Sequence, residues 1–363
     1  MQPQKMVQNS TMFYNLTISK IQRTTKDSIA VSFSIPENLK EIFKYKQGQY
    51  LAFRKAFDGG EVRRSYSLCS SPVVDNELQV AIKVVEGGLF STWANNELKV
   101  GDVLETLAPA GNFYTEIEEG QKKKYVLFGA GSGITPLMSI IKTALAVEKE
   151  SEVVLVYGNK DESSIIFNDE LKVLEDQYGD RFTRFDVLSR VDGRNPMLSG
   201  RVDNNKCEAI NGNTSIFDGN EYFLCGPEGM INEVSELLKS KGIDKSNIHF
   251  ELFIAPVAPS VKTEDPNQEI TSSLTVIMDD EEFEINLSSK GDTILDAAMD
   301  AGADVPFSCK GAVCCTCKAK VTEGSARMEM NYALGDDEVE EGYILTCQAH
   351  PTSEKCVVDY DVV

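Results

Sequence analysis

The sequence predicts a multidomain protein, because three successive regions of its 363 residues carry three different patterns. Short apolar runs between turn residues predict a small antiparallel β-barrel over residues 12–115. Strand patterns alternating with helical patterns predict a doubly wound α/β domain with a parallel sheet over residues 122–254. A hairpin, a short helix and a cysteine-rich loop predict a β-grasp domain over residues 269–363.

The barrel is predicted from short apolar runs that Gly, Asp and Pro interrupt. These runs are Tyr14–Ile18, Ser28–Ser34, Tyr50–Phe53, Leu78–Val85 and Val103–Leu107. Residues 1–11 lack such a pattern and are expected to be frayed.

The α/β domain is predicted from an apolar strand, Tyr125–Phe128, that runs through a glycine-rich turn into a helix over Leu137–Val147. Thr135 as N-cap and Pro136 in the first turn predict a helix start whose positive end can meet a phosphate. The remaining predicted elements are strands at Val153–Tyr157, Phe182–Leu188 and Tyr222–Leu224, and helices near Asn168–Tyr178 and at Met230–Lys239.

The third region follows residues 255–268, which are Pro-rich, polar and unpatterned and therefore predict a linker. Beyond them, Leu274–Met278 and Phe283–Leu287 flank an acidic turn and predict a hairpin. A short helix over Thr293–Ala301, capped at Asp292-Thr293, precedes the cysteine-rich loop.

Composition limits the possible functions. Hydrophobic content of 42% and charged content of 26% are ordinary for a globular protein, and no apolar run approaches the ~18 residues of a membrane helix. The N-terminus lacks the apolar core of a signal peptide, so a cytoplasmic location is expected. The net charge of −21 argues against nucleic acid as a partner.

The negative charge is concentrated towards the C-terminus. Residues 269–363 hold 20 acids and 6 bases, a balance of −14, against −7 for the preceding residues. The negative charge of residues 269–363 either only solvates the surface or attracts a basic partner.

Four cysteines have the spacing of a plant-type [2Fe–2S] site. Cys309, Cys314 and Cys317 form a C-x4-C-x2-C set, and Cys347 follows 30 positions later. Paired zinc motifs do not have this spacing, a disulfide framework would need an oxidising compartment, and a Rieske site would need two histidine ligands. We interpret the neighbouring Cys315 as a non-ligand.

Two motifs in the barrel resemble those of the ferredoxin–NADP reductase family. The first, Arg64-Ser65-Tyr66-Ser67, is expected to follow a strand, and the second is Gly87-Gly88-Leu89-Phe90-Ser91. The resemblance implies that Arg64 pairs with a flavin phosphate, Tyr66 lies against the isoalloxazine and Ser67 bonds near N5. It also implies that the glycine turn opens a helix whose N–H groups meet the pyrophosphate. FAD is expected, with FMN as the alternative.

The α/β domain carries the family's dinucleotide motifs. Gly129-Ala130-Gly131-Ser132-Gly133-Ile134-Thr135-Pro136 resembles its G-x-G-x-G-x-T-P form rather than the Rossmann fingerprint. Ser189-Arg190 implies a site for a 2′-phosphate, and no acidic residue ends the second strand. NADPH is therefore expected, with NADH less favoured.

Three further positions are implied by the same resemblance. Cys225-Gly226-Pro227 begins a C-G-P-x-x-M loop that places Cys225 near the nicotinamide, with Gly226 permitting close approach. Glu251 is a candidate for hydride or proton traffic, and Phe253 is expected to pack on the flavin.

The domain order and the cluster region resemble the reductase components of oxygenases. The likeness lies in Ser308–Gly311, Cys314–Cys317, Met328–Tyr332 and Gly342–Pro351. It points to the phenylacetyl-CoA oxygenase (ring 1,2-epoxidase) and 3-ketosteroid 9α-hydroxylase systems. The implied activity is electron transfer from NADPH through FAD and [2Fe–2S] to a di-iron oxygenase. The alternatives are a steroid or Rieske-type hydroxylase as acceptor, and an electron-carrying ferredoxin without flavin.

Overall fold

The computed structural model of the chain describes residues 12–191, 195–253 and 269–362. The described residues form two compact units. The larger contains residues 14–62 and 66–253, and the smaller contains residues 269–362 together with 12–13 and 63–65. The predicted linker and the predicted frayed segment lie outside the described residues.

The first part of the larger unit is a six-stranded sheet, as predicted. Its strands are β1 (Tyr14–Thr25), β2 (Ser28–Ser34), β3 (Tyr50–Phe57), β4 (Gly60–Ser67), β5 (Leu78–Lys83) and β6 (Val103–Thr106). Their spatial order is β4-β3-β6-β1-β2-β5, and helix α1 (Leu89–Glu97) follows β5. A bridge between Leu68 and Val80 joins the residue after β4 to β5, so the two edges of the sheet meet as in a barrel.

The second part of the larger unit is a parallel sheet, as predicted, but it has five strands where the sequence predicted four. Its strands are β7 (Lys124–Ala130), β8 (Glu152–Asn159), β9 (Phe182–Leu188), β10 (Glu221–Cys225) and β11 (Ile248–Glu251). The helices are α2 (Ile134–Val147), α3 (Asn168–Tyr178), α4 (Asn204–Thr214) and α5 (Glu228–Ser240). The order β11-β10-β7-β8-β9 reverses beside β7, and the crevice at such a point is where α/β sheets bind ligands.

Two local predictions are wrong. Thr135 is not the N-cap of α2, because the turn Gly131–Gly133 runs directly into the helix and makes Gly133 the cap. Thr135 is the second residue of the helix, and its hydroxyl donates to the Ser132 carbonyl at 3.0 Å. Arg64–Ser67 does not follow a strand but forms the second half of β4.

Helix α2 is buried along almost its whole length, because it packs against residues of the barrel as well as the parallel sheet. The Ser139 hydroxyl donates to the Ser70 carbonyl, and the hydroxyls of Thr143 and Ser71 are 2.8 Å apart. These buried bonds fix the barrel against the helix that begins at the glycine-rich turn.

The smaller unit has the predicted β-grasp order of hairpin, helix and loop. Its strands are β12 (Thr271–Met278), β13 (Glu281–Ser288), β14 (Lys318–Glu323), β15 (Ala326–Met328), β16 (Tyr343–Leu345), β17 (Ala349–Pro351) and β18 (Lys355–Asp359). Helices α6 (Ile294–Asp300) and α7 (Asp336–Glu340) complete it. Thr293 caps α6, as predicted, by accepting from the Asp296 amide. No helix in the described part of the chain is long and apolar enough to cross a membrane.

Candidate functional site

The glycine-rich turn after β7 and the loop after β10 are in contact at the crevice. A Cβ on Gly133 would lie 1.9 Å from the Cys225 carbonyl oxygen, so only glycine fits there. A Cβ on Gly226 would lie 2.7 Å from Cε of Met230. Pro227 is the N-cap of α5. The main chains of the two loops thus approach each other closely, as a site that binds a dinucleotide along its backbone requires.

The backbone of the glycine-rich turn Gly131–Gly133 is fixed by a positive φ and by one side-chain hydrogen bond. Gly131 has φ +54°, and the Tyr157 hydroxyl donates to its carbonyl oxygen at 2.8 Å. The Lys83 ammonium lies 3.8 Å from the position of a Cβ on Gly131. Lys83 lies on β5 of the barrel, and no sequence motif ties it to this turn.

Ser67, Cys225 and Glu251, the three predicted catalytic residues, come together in the larger unit. The Ser67 hydroxyl donates to a Glu251 carboxylate oxygen at 2.9 Å. Cys225 and Glu251 are register partners on β10 and β11. A residue of the barrel and two strands of the parallel sheet therefore contribute to one group.

Burial controls the protonation of the Glu251 carboxyl and the Cys225 thiol. It raises the pKa of Glu251 to about 8, and the Ser67 hydrogen bond opposes this shift only in part. Burial, and then the Glu251 charge, raise the pKa of the Cys225 thiol well above its ordinary value. Near neutral pH both groups carry their protons, so neither contributes a negative charge to the crevice.

An aromatic group lies beside the start of α1. The ring of Tyr66 is 5.6 Å from that of Phe90 at an interplanar angle of 33°, and 6.1 Å from that of Phe53. Phe90 is buried, while Tyr66 keeps part of its surface exposed. Such a face is suited to stacking against a flat ring.

The turn before α1 is fixed by Ser91. Its hydroxyl accepts from the Val85 amide at 3.1 Å and lies 3.4 Å from the Gly88 carbonyl, and Gly88 is the N-cap of the helix. Gly87 has φ +73°, and Leu89 is 59% exposed. The N–H groups of the first turn remain for an anionic ligand. Arg64 is exposed on β4.

Ser189 and Arg190 lie beside the end of β8. Their amides donate to the carbonyls of Asn159 and Lys160 at 2.9 Å each, and both residues are exposed. The Asn159 side chain is buried beneath them. Phe253, at the end of the larger unit, is 40% exposed.

The four predicted cluster ligands form two pairs of sulfurs in the smaller unit. The Sγ atoms of Cys309 and Cys314 are 3.1 Å apart, and the thiols of Cys317 and Cys347 are also hydrogen-bonded to each other. All four are free cysteines. A [2Fe–2S] cluster takes two thiolates on each iron, so two pairs fit its donor requirement.

The backbone of the loop turns towards these sulfurs. Lys310 and Ala312 adopt φ +49° and +61°, a region that few non-glycine residues enter. The Gly311 amide donates to the Cys309 sulfur at 3.3 Å. The Cys314 thiol and then these backbone amides lower the pKa of Cys309, which favours the thiolate that a metal requires.

Within residues 12–191, 195–253 and 269–362, no set of three or more His, Cys, Asp or Glu side chains is placed to hold a single metal ion, and the four cysteines contact each other only in pairs. Cys315 is partly buried against the apolar core of the smaller unit.

Comparison with known families defines the class of protein. Residues 15–114 match the oxidoreductase FAD-binding domain, residues 127–236 the oxidoreductase NAD-binding domain, and residues 276–352 the 2Fe-2S iron-sulfur cluster binding domain. The chain is an NAD(P)H-dependent oxidoreductase with FAD, NAD(P) and [2Fe–2S] domains.

The chain belongs to the family of ferredoxin reductase components that serve oxygenases. It is 38% identical to a subunit of the 1,2-phenylacetyl-CoA epoxidase of Escherichia coli (strain K12), over 97% of this chain and 98% of the relative. It is 34% identical to the 3-ketosteroid-9-alpha-monooxygenase ferredoxin reductase component of Rhodococcus rhodochrous, over 95% and 96%. Phthalate dioxygenase reductase shares the fold, with a TM-score of 0.58 at 22% identity over 96% of this chain and 98% of that structure.

Proposed function

We propose that the chain uses NADPH to reduce the di-iron oxygenase of a phenylacetyl-CoA epoxidase system. The observation that carries the proposal is that one chain contains both a dinucleotide crevice with a protonated carboxyl group and four cysteine thiols that contact each other in two pairs. The full-length likeness to a subunit of the Escherichia coli epoxidase supports the choice of acceptor. The free cysteine ligands favour a reducing, cytoplasmic setting.

Each site has a proposed cofactor. When bound, FAD takes two electrons from the nicotinamide as a hydride and releases them singly, and the [2Fe–2S] cluster relays one electron at a time. We assign FAD to Arg64, Tyr66 and Gly87–Ser91, with Phe253 packing on it. We assign the dinucleotide to Gly131, Gly133, Thr135, Gly226 and Pro227, and the cluster to Cys309, Cys314, Cys317 and Cys347. The domain boundaries 12–115, 122–254 and 269–363 remain part of this proposal.

Ser67, Cys225 and Glu251 are proposed to prepare the crevice for hydride transfer. The Glu251 carboxyl holds a proton near neutral pH and is oriented by the Ser67 hydroxyl. Cys225 stays a buried thiol, so it fills the space beside the nicotinamide without adding charge. The residues thus position the reactants and limit water and charge around them.

NADPH is the proposed donor because the last residues of β8, Gly158 and Asn159, carry no carboxylate and lie beside Ser189 and Arg190. An acid at this position would favour the free ribose hydroxyls of NADH. A guanidinium pairs well with the 2′-phosphate. NADPH should therefore show a KM lower than that of NADH. Equal KM values for the two nucleotides would reject the preference.

The test of the acceptor uses the complete holoprotein with purified oxygenases. With NADPH and phenylacetyl-CoA, the di-iron epoxidase should turn over with one NADPH consumed per product. The 34% identity to the steroid monooxygenase component makes that oxygenase the specific competitor. Faster NADPH oxidation with the steroid oxygenase than with the epoxidase would assign the chain to the competing system.

A further inference from the structure

Gln348 follows the last cluster ligand and is only 7% exposed. Its Nε2 atom lies 3.3 Å from the Lys310 carbonyl oxygen and 3.8 Å from the Sγ atom of Cys347. The carbonyl can only accept a hydrogen bond, so the amide nitrogen must face it. The orientation of the amide is therefore fixed, and its second N–H is left for the sulfur.

This amide connects the two sulfur pairs. Lys310 directly follows Cys309 and has φ +49°, whereas Cys347 belongs to the other pair. By holding the Lys310 carbonyl, Gln348 stabilises the left-handed turn that directs the Gly311 amide to the Cys309 sulfur. Its contact with Cys347 adds a side-chain donor to the donors that the backbone supplies.

We propose that Gln348 is a positioning residue that raises the reduction potential of the cluster by donating to the Cys347 sulfur. The reduced cluster carries one more negative charge, part of which lies on its sulfurs. A hydrogen-bond donor therefore stabilises the reduced state more than the oxidised state. The position of the amide, between a carbonyl of one sulfur pair and a sulfur of the other, makes this donor part of the cluster site.

The test measures the potential of the cluster in the full holoprotein by redox titration followed by electron paramagnetic resonance. Gln348→Met keeps the length of the side chain without a donor, and Gln348→Glu keeps its shape but cannot donate when ionised. We expect the ratio of reduced to oxidised cluster at a fixed potential to fall about tenfold in Gln348→Met, equal to about 59 mV for one electron. Gln348→Glu should fall further, because it adds a negative charge.

The matched control is Gln47→Leu. Gln47 is also buried, at 6% exposure, and donates from Nε2 to the Thr115 carbonyl, but it lies in the larger unit. Its replacement should leave the cluster potential unchanged. In Gln348→Met, a fall of threefold or more supports the proposal, whereas a smaller fall or a rise overturns it.

A second measurement on the unmodified protein covers the case in which Gln348→Met fails to assemble its cluster. Protein with ¹⁵N in its glutamine side chains should show, in pulsed electron paramagnetic resonance of the reduced cluster, a coupling to an amide nitrogen. Absence of this coupling overturns the role of Gln348. The inference rests on the proposed cluster, so iron and sulfide content are measured first. The readouts need no oxygenase, so a wrong acceptor assignment would not affect them.

Discussion

Cys225 and Cys309 both lie in proposed electron-transfer sites, but their surroundings shift the thiol pKa in opposite directions. In the larger unit, burial and the nearby Glu251 raise the pKa of Cys225 well above its ordinary value. In the smaller unit, the Cys314 thiol and several backbone amides lower the pKa of Cys309. The first environment retains a neutral thiol and the second favours a thiolate.

Burial of Cys225 and the hydrogen bond from Cys314 to Cys309 cause most of the difference in pKa, and backbone conformation adds to it. Cys225 lies within a parallel sheet, paired with Gly129 on one side and Glu251 on the other. Backbone amides in such a position donate to carbonyl groups of the neighbouring strands, so they cannot donate to the sulfur. Cys309 precedes two residues with positive φ, Lys310 and Ala312, in a loop outside the sheets. Loop amides can turn to the Cys309 sulfur, whereas its hydrogen-bond partner Cys314 keeps the shared proton and has a raised pKa.

The largest expected effect comes from replacing Cys347, one of the four proposed cluster ligands, with serine. Cys347→Ser should reduce electron transfer to cytochrome c or the oxygenase by at least about 100-fold, because one iron loses a thiolate. NADPH–ferricyanide activity should stay within about twofold, since hydride transfer does not use the cluster. Stopped-flow and steady-state assays measure both rates.

Cys225→Ser is the matched comparison. It should slow hydride transfer by about tenfold through altered packing in the crevice, while iron and sulfide content stay unchanged. Undiminished partner reduction in Cys347→Ser would show that the order of electron transfer is wrong.

The second effect concerns the contact between the two loops of the crevice. Gly133→Ala places a Cβ against the Cys225 carbonyl and should destabilise the larger unit by about 3 kcal/mol. NADPH affinity should fall with it, because the loops must separate. Gly229→Ala is the control, since a Cβ there has no atom within 4 Å. It should be neutral or slightly stabilising within helix α5. Denaturant titration and NADPH binding check both, and equal effects would refute the close-contact argument.

Helices and strands with strong local patterns were predicted best. Contacts between residues that are distant in sequence were the hardest to predict. The bounds of α3 and β9 agree with the predicted segments, because their apolar positions and turn residues are unambiguous. Helix α4 (Asn204–Thr214) was missed, because its sequence is rich in polar residues and only Cys207 and Ile210 are buried. The N-cap at Thr135 was predicted wrongly because capping preference does not reveal a preceding turn of 3₁₀ geometry.

In the candidate sites too, features with a local sequence signal were predicted, and features that depend on long-range contacts were not. Cysteine spacing alone predicted the four cysteines that the structure brings together in two pairs, since a cluster demands fixed ligand positions. Glycines were recognised from resemblance, but the contact of Gly133 with Cys225 depends on two strands that are distant in the chain. Neither the position of Lys83 nor the contact of Gln348 with Lys310 carried a local signal, because each depends on the fold bringing a distant segment close.

The third effect is a pH dependence of stability in the larger unit. The pKa of Glu251 rises from 4.5 to about 8 on folding, so between these values the folded state holds a proton that the unfolded state has lost. Stability should fall as pH rises through this window. Glu251→Gln should remove that fall and be more stable than the native protein at pH 8 by on the order of 2 kcal/mol.

Thermal unfolding between pH 5 and pH 8.5, followed by flavin fluorescence, measures the pH slope. The control is Glu236→Gln, because Glu236 is exposed on α5 and pairs with Lys239. Its slope should match that of the native protein. An unchanged slope in Glu251→Gln would mean that the carboxyl is ionised in the folded protein.

The smallest expected effect is the loss of stability when one helix N-cap is removed from each unit. Thr293 caps α6 in the smaller unit, and Asp203 caps α4 in the larger unit by accepting from the Lys206 amide at 2.8 Å. Replacing either with alanine should cost about 1 kcal/mol, because a first-turn amide loses its partner. Thr293→Ala should shift the unfolding transition seen in cluster absorbance, and Asp203→Ala the one seen in flavin fluorescence. If each substitution shifts both transitions equally, the two units unfold as one cooperative body.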